Sequence, residues 1–205
     1  MKSKIIKDAL ALTLITLVAG VALGGVYEIT KDPIARQEAQ AKAEAYEQVF
    51  TDAAAFEEIE MDDTLIQTIR DQLDQEGYKA QSIEEVMRAE DQSGETLGYA
   101  FTVVTSEGYG GDIQFSMGVQ NDGTLNGISI LSIGETAGLG MNADTPAFKD
   151  QFVGKQVEKL QYTKNGATQD DEINAISGAT VTTNAMTNGV NAGLCAFRVM
   201  EGGDQ

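Results

Sequence analysis

The feature that most constrains this chain is an uncharged apolar run near its N-terminus, ALALTLITLVAGVALGGV, at residues 9–26. Its length is close to the lower limit of roughly 17–25 residues that cross a bilayer as an α-helix. Lys2, Lys4 and Lys7 precede the run, whereas charges of both signs follow it. The positive-inside rule therefore predicts a single-pass membrane protein with its N-terminus in the cytoplasm and its main domain outside.

A cleaved signal peptide is the competing interpretation, because a basic start and an apolar run are common to both. The run is longer than a usual signal-peptide core, and no clean small-x-small cleavage site precedes a polar start. No cysteine follows it to accept a lipid. These features favour a retained anchor. Gly20, Gly24 and Gly25 also give the helix a small-residue face of the type that lets another membrane helix approach closely.

Missing residue types exclude several kinds of catalytic site. The chain of 205 residues has no histidine and a single cysteine, Cys195. It therefore lacks histidine-based nucleophile triads, histidine-containing zinc sites, histidine-ligated haem and iron–sulfur clusters held by several thiolates. No metal site is expected, and redox chemistry must come from an organic cofactor. The net charge of −18 argues against nucleic acid as a partner.

Periodicity predicts one α+β domain after the anchor. Strand character is expected to begin near Thr96, and residues 51–62 to continue the preceding helix irregularly. The sequence Asn121-Asp122-Gly123 between two alternating runs is a strong hairpin signal. The remaining predicted elements are helices over residues 33–50, 63–76, 146–152 and 182–200, and a strand over residues 157–162.

Three glycine-bearing segments stand outside these elements: the GYGG loop (residues 107–112), the ETAGLG loop (residues 135–140) and the SGAT turn (residues 177–180). Glycine lets a backbone approach a ligand closely, and successive N–H groups in such turns make anion-binding concavities. Thr182 and Thr183 follow the SGAT turn, where the last helix is predicted to begin. This group of hydroxyls indicates either a helix cap or a phosphate held at a helix N-terminus. Composition and spacing leave both alternatives open.

Together, these motifs resemble the FMN-binding family that includes the RnfG subunit of Rnf complexes and the NqrC subunit of the sodium-pumping NADH:quinone oxidoreductase. The resemblance covers nearly the whole chain. It is carried by the N-terminal anchor, the segment TKDPI, the three glycine-bearing segments, the hairpin, the segment QFVGK and the final SGATVTT. The length and the short N-terminal region favour the RnfG type.

The resemblance implies an α+β fold: one transmembrane helix followed by an extracytoplasmic FMN-binding domain with a mixed or antiparallel twisted sheet and flanking helices. Residues 1–8 would be the cytoplasmic N-terminus and residues 9–27 the helix in the cell (inner) membrane. Residues 28–62 would form a juxtamembrane helical segment, and residues 63–205 the FMN-binding domain.

In that family, a flavin transferase joins the phosphate of FMN to the threonine that closes the S/T-G-A-T motif, through a phosphoester bond. The attachment residue here would be Thr180, and no residue is expected to be catalytic in its own right. Thr182 and Thr183 would be noncovalent phosphate or capping contacts. The recognition turn would consist of Ser177, Gly178 and Ala179. The ETAGLG loop would lie near the isoalloxazine ring through Glu135, Thr136, Gly138, Leu139 and Gly140. Glu135, Thr136 and Leu139 could instead hold the loop together.

Two positions depart from the family pattern. Asn174 stands three residues before the motif, where family members usually carry an acidic residue, and this bears on the efficiency of modification more than on binding. Acidic residues 170–172 lie just upstream. Ala137 stands where family members commonly have proline, as in ETPGLG. The missing ring frees one φ angle and costs under about 1 kcal/mol of preorganisation.

The resemblance implies an electron-transfer subunit of an Rnf-type complex, which couples electron transfer between ferredoxin and NAD⁺ to the translocation of Na⁺ or H⁺. Its partners would be the other membrane subunits, and a flavin transferase for maturation. Two alternatives stay open. One is a flavinylated carrier of another extracytoplasmic reductase or respiratory system, as NqrC is; the other is a non-catalytic assembly subunit in which the SGAT turn is only a capped helix.

Overall fold

A computed structural model describes residues 2–203 of the chain. Met1, Asp204 and Gln205, at the ends of the predicted cytoplasmic and FMN-binding regions, lie outside the described residues. The chain divides into two compact units between Ala41 and Lys42.

The first helix, α1, runs Lys2–Val49 and contains the apolar run. It is long and apolar enough to anchor the chain in a membrane, and none of its apolar window is buried. Pro33 lies inside this helix, so the prediction that a separate helix starts there was wrong. Proline removes one helical hydrogen bond, but the alanine, glutamate, glutamine and lysine residues that follow are strong helix formers that continue the helix.

The second unit contains a five-stranded antiparallel sheet in which every strand pairs with its neighbours in sequence. Its strands are β1 (Ala55–Glu58), β2 (Gln81–Glu90), β3 (Thr96–Thr105), β4 (Ile113–Gln120) and β5 (Leu125–Ile133). The turn between β4 and β5 confirms the predicted hairpin, since Gly123 has a φ of 84° and donates its N–H to Gln120 O at 2.9 Å. The α+β class with an antiparallel sheet is confirmed.

Strands β1 and β2 correct the prediction that sheet structure begins only near Thr96. The alternation in β2 is broken by a bulge between Ile83 and Glu85, and the strand is rich in charged residues. Glu85 is tolerated there because its carboxylate accepts hydrogen bonds from Lys42 Nζ at 2.7 Å and Tyr46 Oη at 2.9 Å. These partners lie far away in sequence, so no local pattern reveals them.

Three further helices and a small ladder complete the unit. They are α2 (Asp63–Glu76), α3 (Pro146–Lys149), α4 (Thr180–Gly203), 3-10 helices at Gly140–Asp144 and Asp150–Phe152, and the parallel pair β6 (Gln161–Thr163) and β7 (Glu172–Asn174). The helix predicted over residues 146–152 is confirmed as α3 and the 3-10 helix that follows it. Of the strand predicted over residues 157–162, only residues 161 and 162 lie in a strand, β6. The last helix begins at Thr180 rather than at Thr182.

Helix α4 packs closely on the middle of the sheet because two of its residues are glycines. A Cβ at Gly189 would lie 2.8 Å from the Phe115 ring, and one at Gly193 would lie 2.9 Å from Met117 Cε. Both of these partners belong to β4 and are fully buried. This contact fixes where the first turn of α4 lies relative to the ends of the strands.

Candidate functional site

The sheet brings the two glycine loops to one end. Thr105 at the end of β3 pairs with Ile113 at the start of β4, and Ile113 pairs with Ile133 at the end of β5. The GYGG loop joins the first two of these residues, and the ETAGLG loop follows the third. Two loops that are separate in sequence therefore leave adjacent strand ends.

A buried carboxylate, Glu135, joins these two loops. Its Oε1 accepts a hydrogen bond from the Tyr109 backbone N–H at 2.7 Å, and its side chain is only 8% exposed. The backbone also closes around it: a Cβ at Gly108 would lie 3.1 Å from Oε1, and one at Gly140 would lie 2.5 Å from Oε2. Glu135 thus connects the GYGG loop to the ETAGLG loop.

The first turn of α4 completes the site. A Cβ at Gly140 would lie 2.6 Å from Thr182 Oγ1, and a Cβ at Gly178 would lie 3.1 Å from Leu139 Cδ2. Gly178 has a φ of 75°, a left-handed conformation that favours glycine. The GYGG loop, the ETAGLG loop and the SGAT turn therefore converge, although 70 positions separate the first from the last.

The ETAGLG loop is built on a tight turn. The Leu139 N–H donates to Thr136 O at 3.1 Å, and Gly138 has a φ of 75°. A type II turn requires a positive φ at its third position, which glycine adopts readily, and proline is favoured at its second position. Ala137 occupies that second position, which explains in physical terms why proline fits there in related sequences.

The hydroxyl side chains of the SGAT segment have different environments. Thr183 is fully buried; its hydroxyl accepts from the Ile176 N–H at 3.0 Å and donates to Ala179 O at 2.9 Å. Ala179 is the N-cap of α4, because its carbonyl accepts the first helical hydrogen bond, and it has no side-chain oxygen. Ser177 is exposed and Thr180 half-buried. Thr183 thus holds the turn together, and a side-chain cap at the N-cap does not explain Thr180.

The three converging segments carry exposed apolar side chains. Several large apolar side chains on or beside the three converging segments are unusually exposed, at 36–76%. They are Tyr109, Leu139, Met141 and Val181. Exposed large apolar side chains on segments that converge are candidates for contact with a ligand or a partner.

Three residues that sequence reasoning missed connect the GYGG loop to α4. Glu107 Oε2 accepts hydrogen bonds from Asn188 Nδ2 at 2.7 Å and from Asn184 Nδ2 at 3.3 Å. The two asparagines are four residues apart and thus lie on one face of the helix. That spacing is the only sequence signal, and it does not identify a carboxylate that lies so far away in the chain.

The region before the SGAT turn uses its polar side chains locally. Asn174 Oδ1 accepts from the Ala167 N–H at 2.7 Å, and the Asn174 N–H donates to Gln151 Oε1 at 2.7 Å. Glu172 accepts from the Thr168 N–H at 2.8 Å, and this backbone hydrogen bond lowers the pKa of Glu172. The hydrogen-bond partners of Asn174 and Glu172 thus belong to the β6–β7 region and to the 3-10 helix after α3, not to the SGAT turn.

Among residues 2–203, no group of three or more histidine, cysteine, aspartate or glutamate residues is placed to hold a metal ion. The site consists instead of glycine-rich backbone, hydroxyls and one buried carboxylate. Such a set suits a phosphorylated organic ligand at a helix N-terminus.

Comparison with known proteins identifies the family. The FMN-binding domain family matches residues 108–194, and the RnfG N-terminal region matches residues 1–49. The chain is 32% identical, over 95% of its length and 92% of the relative's, to the G subunit of the Na(+)-translocating ferredoxin:NAD(+) oxidoreductase complex of Acetobacterium woodii. It is 28% identical, over 94% of its length and 91% of the relative's, to the G subunit of the proton-translocating ferredoxin:NAD(+) oxidoreductase complex of Clostridium ljungdahlii.

A solved structure, that of the C subunit of the Na(+)-translocating NADH-quinone reductase of Parabacteroides distasonis, is 24% identical with a TM-score of 0.48. That match covers 56% of this chain and 61% of the other. The nearly full-length matches to the two G subunits confirm the resemblance seen in the motifs. The chain therefore belongs to the RnfG family, the G subunits of ion-translocating ferredoxin:NAD(+) oxidoreductase complexes.

Proposed function

We propose that this chain is the electron-transfer flavoprotein subunit of a membrane-bound Rnf-type complex and carries FMN covalently on Thr180. The complex would couple electron transfer between ferredoxin and NAD⁺ to Na⁺ or H⁺ translocation, so the catalysis belongs to the assembly. The observation that carries the proposal is the convergence of the GYGG loop, the ETAGLG loop and the SGAT turn beside a half-buried threonine at the first position of α4.

The residues present fit the phosphate of FMN. Thr180 is the first residue of α4, where the N–H groups of the opening turn have no helical acceptor and the helix dipole favours negative charge. Gly178, within this turn, and Gly140, in the ETAGLG loop, have no side chain to obstruct a ligand. A side chain at either position would contact a neighbouring segment. FMN, when bound, would supply the capacity to accept and release electrons.

The exposed apolar surface fits the flavin ring. Leu139 is 43% exposed and lies against Gly178, so it connects the attachment turn to the ETAGLG loop. Leu139→Ala is expected to change the flavin absorption spectrum and the redox potential. Unchanged values would count against a contact between Leu139 and the ring.

Attachment would convert the Thr180 hydroxyl into a phosphoester. The Oγ–H proton is lost as the bond from Oγ to phosphorus forms, and a flavin transferase would supply FMN from an activated flavin nucleotide whose leaving group departs. Ser177, Gly178 and Ala179 would present the motif to that enzyme. Asn174, at the position where family members usually carry an acid, would affect the rate of this step more than the binding of the product.

Membrane placement follows from the N-terminal charges. Residues 1–8 would be cytoplasmic and residues 9–27 would span the membrane, so that the juxtamembrane segment (28–62) and the FMN-binding domain (63–205) lie outside the cytoplasm. A covalent tether is useful there because a lost cofactor could not readily be replaced. The other membrane subunits of the complex would be the permanent partners.

The test is co-expression of the full chain with a flavin transferase, followed by a denaturing gel imaged for flavin fluorescence and by intact mass measurement. Fluorescence and an FMN-phosphoryl mass are expected in the parent and not in Thr180→Ala. Thr64→Ala, which removes an exposed threonine hydroxyl from α2, is the matched control and should retain both. Flavin retained by Thr180→Ala, or absent from the parent while the transferase modifies a second substrate, would overturn the proposal.

The possibility that the chain serves only assembly is tested with the same variant. If Thr180→Ala assembles with the other membrane subunits but the complex loses ferredoxin-dependent NAD⁺ reduction, the flavin carries the function. If the variant complex keeps its activity, the chain serves assembly alone.

A further inference from the structure

One half of β2 has an open edge. Strand β1 pairs only with the part of β2 from Met87 to Glu90, and the chain then leaves the sheet after the Ile59 N–H donates to Val86 O at 2.9 Å. Within the described chain, residues 81–85 of β2 therefore have a single ladder neighbour, β3. An open edge of this kind is a template for an additional strand.

A groove runs along this open edge. Its cavity has a volume of about 460 Å³ and lies between one face of α2 and the facing ends of β2 and β3. This volume is within the range of roughly 300–1,000 Å³ that is typical of ligand sites. Its apolar lining consists of Met61, Ile66, Ile69, Leu73, Ile83 and Val104.

A buried hydrogen-bond acceptor in the groove lacks a donor. Gln81 is 7% exposed, and its Nε2 donates to Thr105 Oγ1 at 3.1 Å. Its amide oxygen is buried and has no hydrogen-bond partner among residues 2–203. An unpaired buried acceptor costs free energy unless something supplies a donor.

The groove also displays two basic side chains, Arg70 and Lys79, on a chain with only 14 basic residues against 32 acidic ones. Neither side chain has an ion pair in the described part of the chain. Asp74 and Asp112 also line the groove but form no ion pair with these cations. Four other basic residues of the domain are paired with carboxylates, namely Lys42, Arg88, Lys149 and Arg198. Lys155, Lys159 and Lys164, like Arg70 and Lys79, form no ion pair within residues 2–203. The two cations of the groove are therefore free to bind carboxylates of another molecule.

We propose that this groove binds an extended acidic segment of another subunit, which adds as a strand beside residues 81–85. Its backbone would pair with the open edge, and alternate side chains would point to the apolar lining. Carboxylates on the segment would meet Arg70 and Lys79. Five residues of added strand would span about 17 Å. The proposal rests on the proposed function only in taking the chain to work inside a multi-subunit complex.

The groove is lined by no residue of the ETAGLG loop or the SGAT turn. Ser106 and Asp112, which line the groove, bracket the glycines of the GYGG loop. The exposed apolar side chains of the candidate site belong instead to the ETAGLG loop and the residue after it, the start of α4 and the tip of the GYGG loop. The proposed partner would therefore contact residues other than those of the ETAGLG loop and the SGAT turn.

The first test uses an array of overlapping 12-residue peptides from the extramembrane segments of the other subunits of the same organism's complex. The full chain, purified in detergent, is expected to bind segments that alternate acidic and apolar residues. On the strongest peptide, fluorescence anisotropy should show about tenfold or greater weakening for Arg70→Glu combined with Lys79→Glu. Lys164→Glu reverses an exposed charge outside the groove and is the control that should bind normally.

A second measurement tests strand addition itself. The bound peptide should slow hydrogen exchange across residues 81–85, and N-methylation of its alternate amides should abolish binding. The proposal is overturned if no peptide binds, if charge reversal leaves affinity unchanged, or if the N-methylated peptide binds as well as its parent. The peptide-binding assays use protein without flavin. In the separate co-expression test, the Arg70→Glu, Lys79→Glu protein should still carry flavin on the denaturing gel. Failure of one proposal is thereby distinguishable from failure of the other.

Discussion

Replacing Gly140 by alanine tests the packing at the centre of the candidate site. The added Cβ would lie 2.5 Å from Glu135 Oε2, 2.6 Å from Thr182 Oγ1 and 2.8 Å from Glu135 Cβ. These distances are shorter than van der Waals contact, so at least one neighbour must move. Glu135 cannot move freely because its other oxygen is bonded to the Tyr109 N–H, and Thr182 is buried in α4.

The expected cost is that of inserting a methyl group into a packed core. Such overpacking lowers the free energy of unfolding by about 1–3 kcal/mol. For a domain of this size, each kcal/mol corresponds to about 2–4 °C in melting temperature, so the Gly140→Ala protein should melt about 2–12 °C lower. The backbone of Gly140 does not need a positive φ, so the destabilisation comes from steric contact and not from backbone strain.

Circular dichroism of the full chain in detergent during heating measures the change. Gly202→Ala is the matched control, because it adds the same methyl group to a helical position with no atom within 4 Å. Its melting temperature should stay the same or rise, since alanine is the better helix former. If Gly140→Ala melts no lower than the Gly202→Ala control, the ETAGLG loop does not pack on Glu135 and Thr182 as described.

Three further predictions concern the surroundings of the site and the core. Ala137→Pro should raise the free energy of unfolding by about 0.4–1 kcal/mol, measured by urea titration, because proline suits the second position of this turn; a decrease would show that the turn has another form. Burial raises the pKa of Cys195 to about 12, and the Glu76 carboxylate adds to this effect, so iodoacetamide at mildly alkaline pH should modify Cys195 only after unfolding, as mass spectrometry would show; a native adduct would contradict its burial. A backbone hydrogen bond from Thr168 lowers the pKa of Glu172, so its carboxylate stabilises the fold above the ordinary pKa of about 4.3, and this contribution is lost as the pH falls through the lowered value. Glu172→Gln should therefore melt lower at neutral pH and lose less stability in acid, whereas an unchanged pH profile would show that the bond contributes nothing.

Local signals predicted the parts of the fold that depend on neighbouring residues. The hairpin at Asn121-Asp122-Gly123 and the bounds of α2 follow from turn and capping chemistry within a few positions. Strands β1 and β2 were not predicted because the residues that stabilise them are distant in sequence. Glu85 reads as a surface residue in the sequence, yet it is held by Lys42 and Tyr46.

The sequence suggested members of the candidate site but not their arrangement. Resemblance to a family pointed to Thr180 and the ETAGLG loop, whereas the sheet order that brings these segments together is a property of the whole chain. The contact of Glu107 with Asn188 spans 81 positions, and no spacing rule connects them. The roles of Thr183 and Glu135 likewise became visible only from hydrogen bonds within the turn and loops.

The order of elements along the chain determines when Thr180, the proposed attachment residue, acquires its folded surroundings. Both glycine loops are synthesised before the SGAT turn, but Thr183, which holds that turn, and Met186, which packs in the core, lie after it in α4. Thr180 therefore leaves the ribosome in an unfolded chain and gains its native environment only after α4 has followed and packed on the sheet. An enzyme that recognises the folded turn must wait for a finished domain, whereas one that recognises the bare motif can modify a nascent chain.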